Sequence, residues 1–212
     1  MTLREDIDNF IKTIPQNICV VAATKYVGIP QMQELIRHGI TDFGENRTDS
    51  FLEKYEALRE YGITWHFIGH LQRNKAKEIL PKIDYLHSLD SLSLAKQIER
   101  ERKQPLKCFI EVSVNQEENK NGVKIADLRP FIRQLLEFKN IELVGLMMMS
   151  KQNSTHSQLL HQFNTLTMLR DELSQEFSIA IPCLSMGMSD DYLEAIEAGA
   201  THIRLGRILW RN

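Results

Sequence analysis

The stretch Ile18-Cys19-Val20-Val21-Ala22-Ala23-Thr24-Lys25 is an apolar, β-branched run of strand length. It ends abruptly in a lysine, with Gly28 and Pro30 close behind. Such a run reads as a strand buried on both faces, as in parallel sheets. Active sites of α/β folds gather at the carboxyl ends of such strands, so Lys25 is placed to do chemistry. A lysine at the rim of an apolar core can lose hydration, which lowers its pKa and makes the amine a nucleophile. The competing reading is a surface lysine that snorkels from a strand end. The rest of the chain decides between them.

Other polar residues fall at the ends of apolar runs: Asn46, His70, Ser88, Ser150, Ser185 and the stretch Arg204-Leu205-Gly206-Arg207. Polar groups concentrated there are the signature of a site, although Ser88 taken alone reads as a helix cap. Two segments have the form of an anion cradle. Ser185-Met186-Gly187-Met188-Ser189 leads into a helix, so its amides and hydroxyls point at a helix N-terminus. Gly206 lacks a side chain, which lets an anion approach the backbone. Against this, Asp190 and Asp191 occupy the first turn of that helix and already satisfy its dipole, which leaves Ser189 readable as a plain N-cap. A lysine at one strand end and a phosphate cradle nearby suit pyridoxal 5′-phosphate, but lysine–imine chemistry also serves aldolases, so the cofactor stays open on these grounds.

The elements that must position these residues alternate. Thr2-Leu3-Arg4-Glu5 has the form of a capping box, and Leu3, Ile7, Phe10, Ile11 and Ile14 predict a short helix stopped at Pro15. Strand-like runs follow at 18–25, 40–45, 64–69, 83–88, 106–114, 141–149, 180–184 and 201–205, with helical spacing after each of the first seven. A polar loop over Asn115–Gly122 interrupts the fifth unit. Eight units of about 26 residues predict a compact α/β fold, a single (β/α)8 barrel over residues 1–212 preceded by the short helix. A doubly wound open sheet is the rival, and the count of eight favours the barrel.

Composition is that of a globular chain with a real core: 212 residues, 42% hydrophobic, 25% charged, net charge −2. The balance points to neither nucleic acid nor a membrane surface as partner, and no apolar run is long enough to span a bilayer. Cys19, Cys108 and Cys183 have no CxxC spacing and read as small buried hydrophobes. The seven histidines show no metal-ligand spacing, so no metal site is expected, and a reducing cytoplasm is the expected location.

The segments Ala23-Thr24-Lys25, Asp42–Asn46, Trp65–Lys75, Leu184–Asp191 and Ile203–Gly206 resemble the pyridoxal phosphate homeostasis protein family, and the likeness covers nearly the whole chain. It implies the barrel of alanine racemase's N-terminal domain, with pyridoxal 5′-phosphate carried as an internal aldimine on Lys25. Arg204 matches the arginine facing the pyridine nitrogen, where its charge weakens the ring as an electron sink. Ser185, Met186, Gly187, Ser189, Gly206 and Arg207 match the phosphate-binding segments, and Asn46 and His70 match positions lining the pocket. Departures are Thr24 for serine, Arg47 for tyrosine, a divergent Thr48-Asp49-Ser50, Arg207 for a smaller residue, and an end at Asn212 where relatives continue.

The resemblance implies a carrier acting in vitamin B6 and amino-acid homeostasis, handing its cofactor to apo-enzymes without strong catalysis of its own. The alternative is an amino-acid racemase. Racemases of this fold take their second acid–base group, a tyrosine, from an appended domain of a partner subunit. None of Tyr26, Tyr55, Tyr61, Tyr85 and Tyr192 lies in a segment matching that role. No appended domain is expected after Trp210, and a monomer is expected with it.

Overall fold

The computed structural model describes residues 1–115 and 121–211; part of the polar loop expected at Asn115–Gly122 lies outside the described residues, as does Asn212. Eight strands form the frame: β1 (Cys19–Ala23), β2 (Asp42–Glu45), β3 (Thr64–Phe67), β4 (Tyr85–Leu89), β5 (Leu106–Ser113), β6 (Ile141–Met147), β7 (Cys183–Ser185) and β8 (His202–Leu205). All pair in parallel in the order β4-β3-β2-β1-β8-β7-β6-β5, and β5 pairs back onto β4, so the sheet closes. Closure selects the barrel over the open sheet.

Seven helices follow the first seven strands: α2 (Ile29–Arg37), α3 (Thr48–Leu58), α4 (Arg73–Ile79), α5 (Leu92–Glu101), α6 (Leu128–Leu135), α7 (His156–Phe177) and α8 (Tyr192–Glu197). They cover the outward face of the strands. There Phe51 of α3 meets Trp65 of β3 edge-on, with ring centroids 5.2 Å apart. Among the described residues, no helix is long and apolar enough to cross a membrane.

The start of the chain departs from the capping-box expectation. Thr2–Leu3 is a short strand antiparallel to Trp210–Arg211, and the first helix, α1, runs only over Ile7–Lys12. The apolar spacing survives, since Leu3, Ile7, Phe10 and Ile14 are all buried. Thr2 cannot cap a helix because its backbone is engaged in strand pairing with the other end of the chain. Arg211 and Glu5 form an ion pair beside this ribbon.

Branched aliphatic layers commonly fill such barrels. Here the filling is largely aromatic and polar. His66 stacks on Tyr85 at 4.6 Å with ring planes 4° apart, and His87 stacks on Phe109 at 4.4 Å. His202 and Arg204 of β8 are buried as well.

Candidate functional site

A cavity of about 720 Å³ opens at the C-terminal rim, lined by Ala23, Lys25, Tyr26, Ser150, Ser189, Arg204, Gly206, Arg207 and residues from both ends of the chain, Met1 and Trp210. Lys25 lies just past β1 and is exposed, with its Nζ 5.0 Å from the centre of the Tyr26 ring. Its rim position is as expected. The desolvated setting is not, because the side chain extends past the apolar core into open space.

What holds Lys25 in place is a buried ion pair that sequence reasoning missed. Lys54 of α3 donates to Glu45 Oε1 at 2.6 Å and to the carbonyl oxygen of Thr24 at 2.7 Å. Thr24 Oγ1 donates to the same Glu45 oxygen at 2.6 Å. Each polar group is satisfied, as burial requires, and the residue preceding Lys25 is tied to two elements. A signal existed: Lys54 shares a helix face with Phe51 and Leu58 at i, i+3 and i+7, a place where a charged residue needs a partner.

Arg204 is the cavity's fixed charge. It donates to Ser185 Oγ at 2.6 Å and to the Met148 carbonyl oxygen at 3.0 Å. Burial brings its pKa down to about 10, opposed by the Asp191 and Glu111 carboxylates, so it stays charged near neutrality. From Ser185 a chain of hydrogen bonds crosses the barrel: Ser185 Oγ to His87 Nδ1 at 2.8 Å, His87 Nε2 to His66 Nδ1 at 2.9 Å, and His66 Nε2 to Asp42 Oδ1 at 3.0 Å. Its ends fix its polarity. Burial raises the Asp42 pKa, but the hydrogen bonds from His66 and Cys19 act against this, and the net shift is downward, so Asp42 accepts. With one proton per ring, His66 donates to Asp42, His87 to His66 and Ser185 to His87, while Ser185 accepts from Arg204. His87 is kept neutral by complete burial, reinforced by the nearby His66, Arg204 and His202.

The two cradle segments are partly spoken for within the protein. Ser185 points into the barrel instead of the cavity. The Met186 amide donates to the His202 carbonyl oxygen at 3.1 Å and the Met188 amide to Asp191 Oδ1 at 2.6 Å. Gly187 has φ +88°, and a Cβ there would sit 2.5 Å from the Ala195 Cβ, so the turn can pack on α8 only without a side chain. Ser189 does not cap α8. Its Oγ accepts from the Gly206 and Ile208 amides at 3.2 and 3.3 Å. Among the described residues a Cβ on Gly206 would meet nothing nearer than Ala23 at 3.7 Å, so the space over that backbone belongs to the cavity. Arg207 and Asp190 form an exposed ion pair.

Asn46 and His70 do not line this cavity. His70 is exposed, faces Asp90 at 3.4 Å and borders a separate cavity of about 630 Å³ with Gln72 and Arg73. Asn46 is half-buried past β2, and its Oδ1 has no hydrogen-bond partner among the described residues. Ser88 is not a cap; it lies in β4 and donates to the Gly69 carbonyl oxygen at 2.6 Å, while Ser91 caps α5. Ser150 donates to Asp191 at the cavity edge. Tyr26, unassigned from sequence, lines the cavity beside Lys25.

Residues 2–211 match the family described as alanine racemase, N-terminal domain. A pyridoxal phosphate homeostasis protein of Aquifex aeolicus is 39% identical over 90% of this chain and 85% of its own. The Synechocystis protein of that name is 38% identical over 94% of each. The chain belongs to the pyridoxal phosphate homeostasis protein family. The fold agrees: PipY of Synechococcus elongatus with PLP bound superposes at TM-score 0.91, with 30% identity over 98% of this chain and 99% of that one. An alanine racemase of Clostridium difficile shares the fold at TM-score 0.79 and 15% identity, and this chain covers 58% of it. The family thus corresponds to the racemase barrel.

Proposed function

We propose that this chain holds pyridoxal 5′-phosphate in the rim cavity and serves pyridoxal phosphate homeostasis as a carrier. The observation that carries the reading is that one cavity combines an exposed amine, Lys25, a buried guanidinium, Arg204, and the unobstructed backbone of Gly206. These residues fit the cofactor. Lys25 is the attachment point for its aldehyde, Arg204 faces its ring, and Ser189, Gly206 and Arg207 receive its phosphate. Ser185 acts one step back by holding Arg204, and Gly187 shapes the turn that carries Ser189. Asn46 stands outside the cavity lining, and Met186 and His70 are engaged elsewhere. When bound, the cofactor supplies an aldehyde that condenses with amines and a ring that withdraws electrons. Arg204 cannot give up its proton near neutral pH, so it orients the ring without protonating it.

The carrier reading also takes support from the openness of Lys25, which suits exchange with apo-enzymes better than exclusion of water. We read residues 1–212 as one binding unit that acts as a cytoplasmic monomer. Borohydride treatment of the loaded protein should fix one cofactor per chain on the peptide containing Lys25. Attachment to another lysine would refute the assignment; Lys75, paired with Asp49 at 3.7 Å and outside the cavity lining, should stay unmodified. Incubation with L-amino acids in D2O should give transfer of cofactor to an apo-enzyme without fast Cα exchange. Turnover at about 1 per second or faster would favour the racemase alternative.

A further inference from the structure

The floor of the barrel, opposite Lys25, brings together three side chains that lie outside the lining of the rim cavity. Cys19 begins β1, Asp42 begins β2 and His66 lies within β3. A ligand atom from each, the Cys19 sulfur, a carboxylate oxygen and an imidazole nitrogen, lies within 4.8 Å of the other two. Among the described residues this is the only such trio of potential metal ligands. A cavity of about 400 Å³, lined by Cys19, Asp42, Asn17 and Thr41, opens beside them. It supplies both an entry path and room for a water ligand.

We propose that Cys19, Asp42 and His66 form a binding site for a divalent cation of the zinc class. Thiolate, imidazole and carboxylate are the donors that tetrahedral zinc accepts, and three protein ligands leave its fourth position open. The outer shell is already in place. A metal-bound imidazole is held by a partner on its other nitrogen, and His66 Nδ1 lies 2.9 Å from His87 Nε2.

Binding reverses the hydrogen-bond chain. His66 Nε2 gives its lone pair to the cation, so His66 carries its proton on Nδ1 and donates to His87. His87 then donates through Nδ1 to Ser185, whose oxygen has lone pairs for both His87 and Arg204. Each ring keeps one proton, and the Cys19 thiol releases one to solvent. A cation at the floor therefore changes the hydrogen bonding of the residue that holds Arg204, on the other side of the barrel.

The test is titration of the full-length protein with cobalt(II) alone, followed by zinc(II). The expected result is one cobalt per chain, with a thiolate-to-cobalt charge-transfer band that zinc abolishes. Cys19→Ser should lose the band. Cys183→Ser, outside the trio, should keep it. Should Cys19→Ser fold poorly, Asp42→Asn at the half-exposed position offers the second variant and should weaken cobalt binding by at least about tenfold. His87→Gln should weaken it about 10–100-fold, as outer-shell losses do. Absence of the band, or its survival in Cys19→Ser, would overturn the site.

Discussion

Lys25 and Arg204 line the same cavity, yet one is exposed and the other buried with its guanidinium bonded to Ser185 and Met148. A group that must form and break a covalent bond needs room and solvent access to exchange partners. A group that orients a ring needs a fixed direction, and burial supplies it by making every alternative conformation lose hydrogen bonds. The same contrast repeats below them. The Lys54–Glu45 pair immobilises the backbone just before Lys25 and leaves the lysine side chain free.

The largest effect that would sharpen this contrast is at the free end. Lys25→Ala should abolish the borohydride-fixable adduct while leaving weaker, phosphate-dependent binding, read by mass spectrometry and by competition with inorganic phosphate. Equal affinity for pyridoxal and its phosphate ester would remove the cradle from the account.

Next in size is the buried pair beneath Lys25. Lys54→Met leaves the Glu45 carboxylate buried without its cation and should cost about 3–5 kcal/mol in urea unfolding. Adding Glu45→Gln should recover part of that loss. A cost near zero for Lys54→Met would show that the pair does not anchor this side of the rim.

A smaller effect comes from Glu111, inside the barrel near Arg204. Burial, reinforced by Asp90 and opposed by Arg204 and His70, pushes its pKa up to about 7 from an ordinary 4.5. The folded protein therefore binds this proton more readily than the unfolded chain. The contribution is most favourable at acid pH, is lost as pH rises from about 4.5 through 7, and amounts to about 3 kcal/mol at most. Glu111→Gln should flatten that part of the stability–pH profile and gain most over the parent above pH 7. An unchanged profile would place the titration elsewhere.

The smallest is Ser189→Ala. It removes the acceptor shared by the Gly206 and Ile208 amides and should lower the stability of the ligand-free protein by about 1 kcal/mol. Inorganic phosphate should stabilise this variant less than the parent, because the Ser189 hydroxyl is one of the groups that receive it. Equal responses would mean that Ser189 does not face the anion.

The strand containing Lys25, the eightfold alternation and the rim residues Arg204, Gly206 and Ser189 were legible because each is written in a contiguous stretch. Apolar runs of strand length announce themselves locally, and their ends mark the rim whatever the final curvature. The surroundings of Ser185, Met186 and His70 were not legible, for the opposite reason. Position at a strand end does not say whether a side chain points into the barrel, as Ser185 does, or toward a neighbouring groove, as His70 does. Nor does it say whether an amide is already bonded within the protein, as that of Met186 is. Thr2 read as a helix cap because its strand partner, Trp210–Arg211, lies at the far end of the chain.

The order of elements, the lysine and the family resemblance are properties of the sequence alone. Closure of the barrel, the orientation of Arg204 and the meeting of Cys19, Asp42 and His66 are not. Those three residues stand more than 20 positions apart and share no local motif. They meet only because β1, β2 and β3 lie side by side, with a stagger that brings the start of one strand level with the interior of another. Side-chain chemistry can be read along the chain, but the distance between side chains is set by how the strands close on one another.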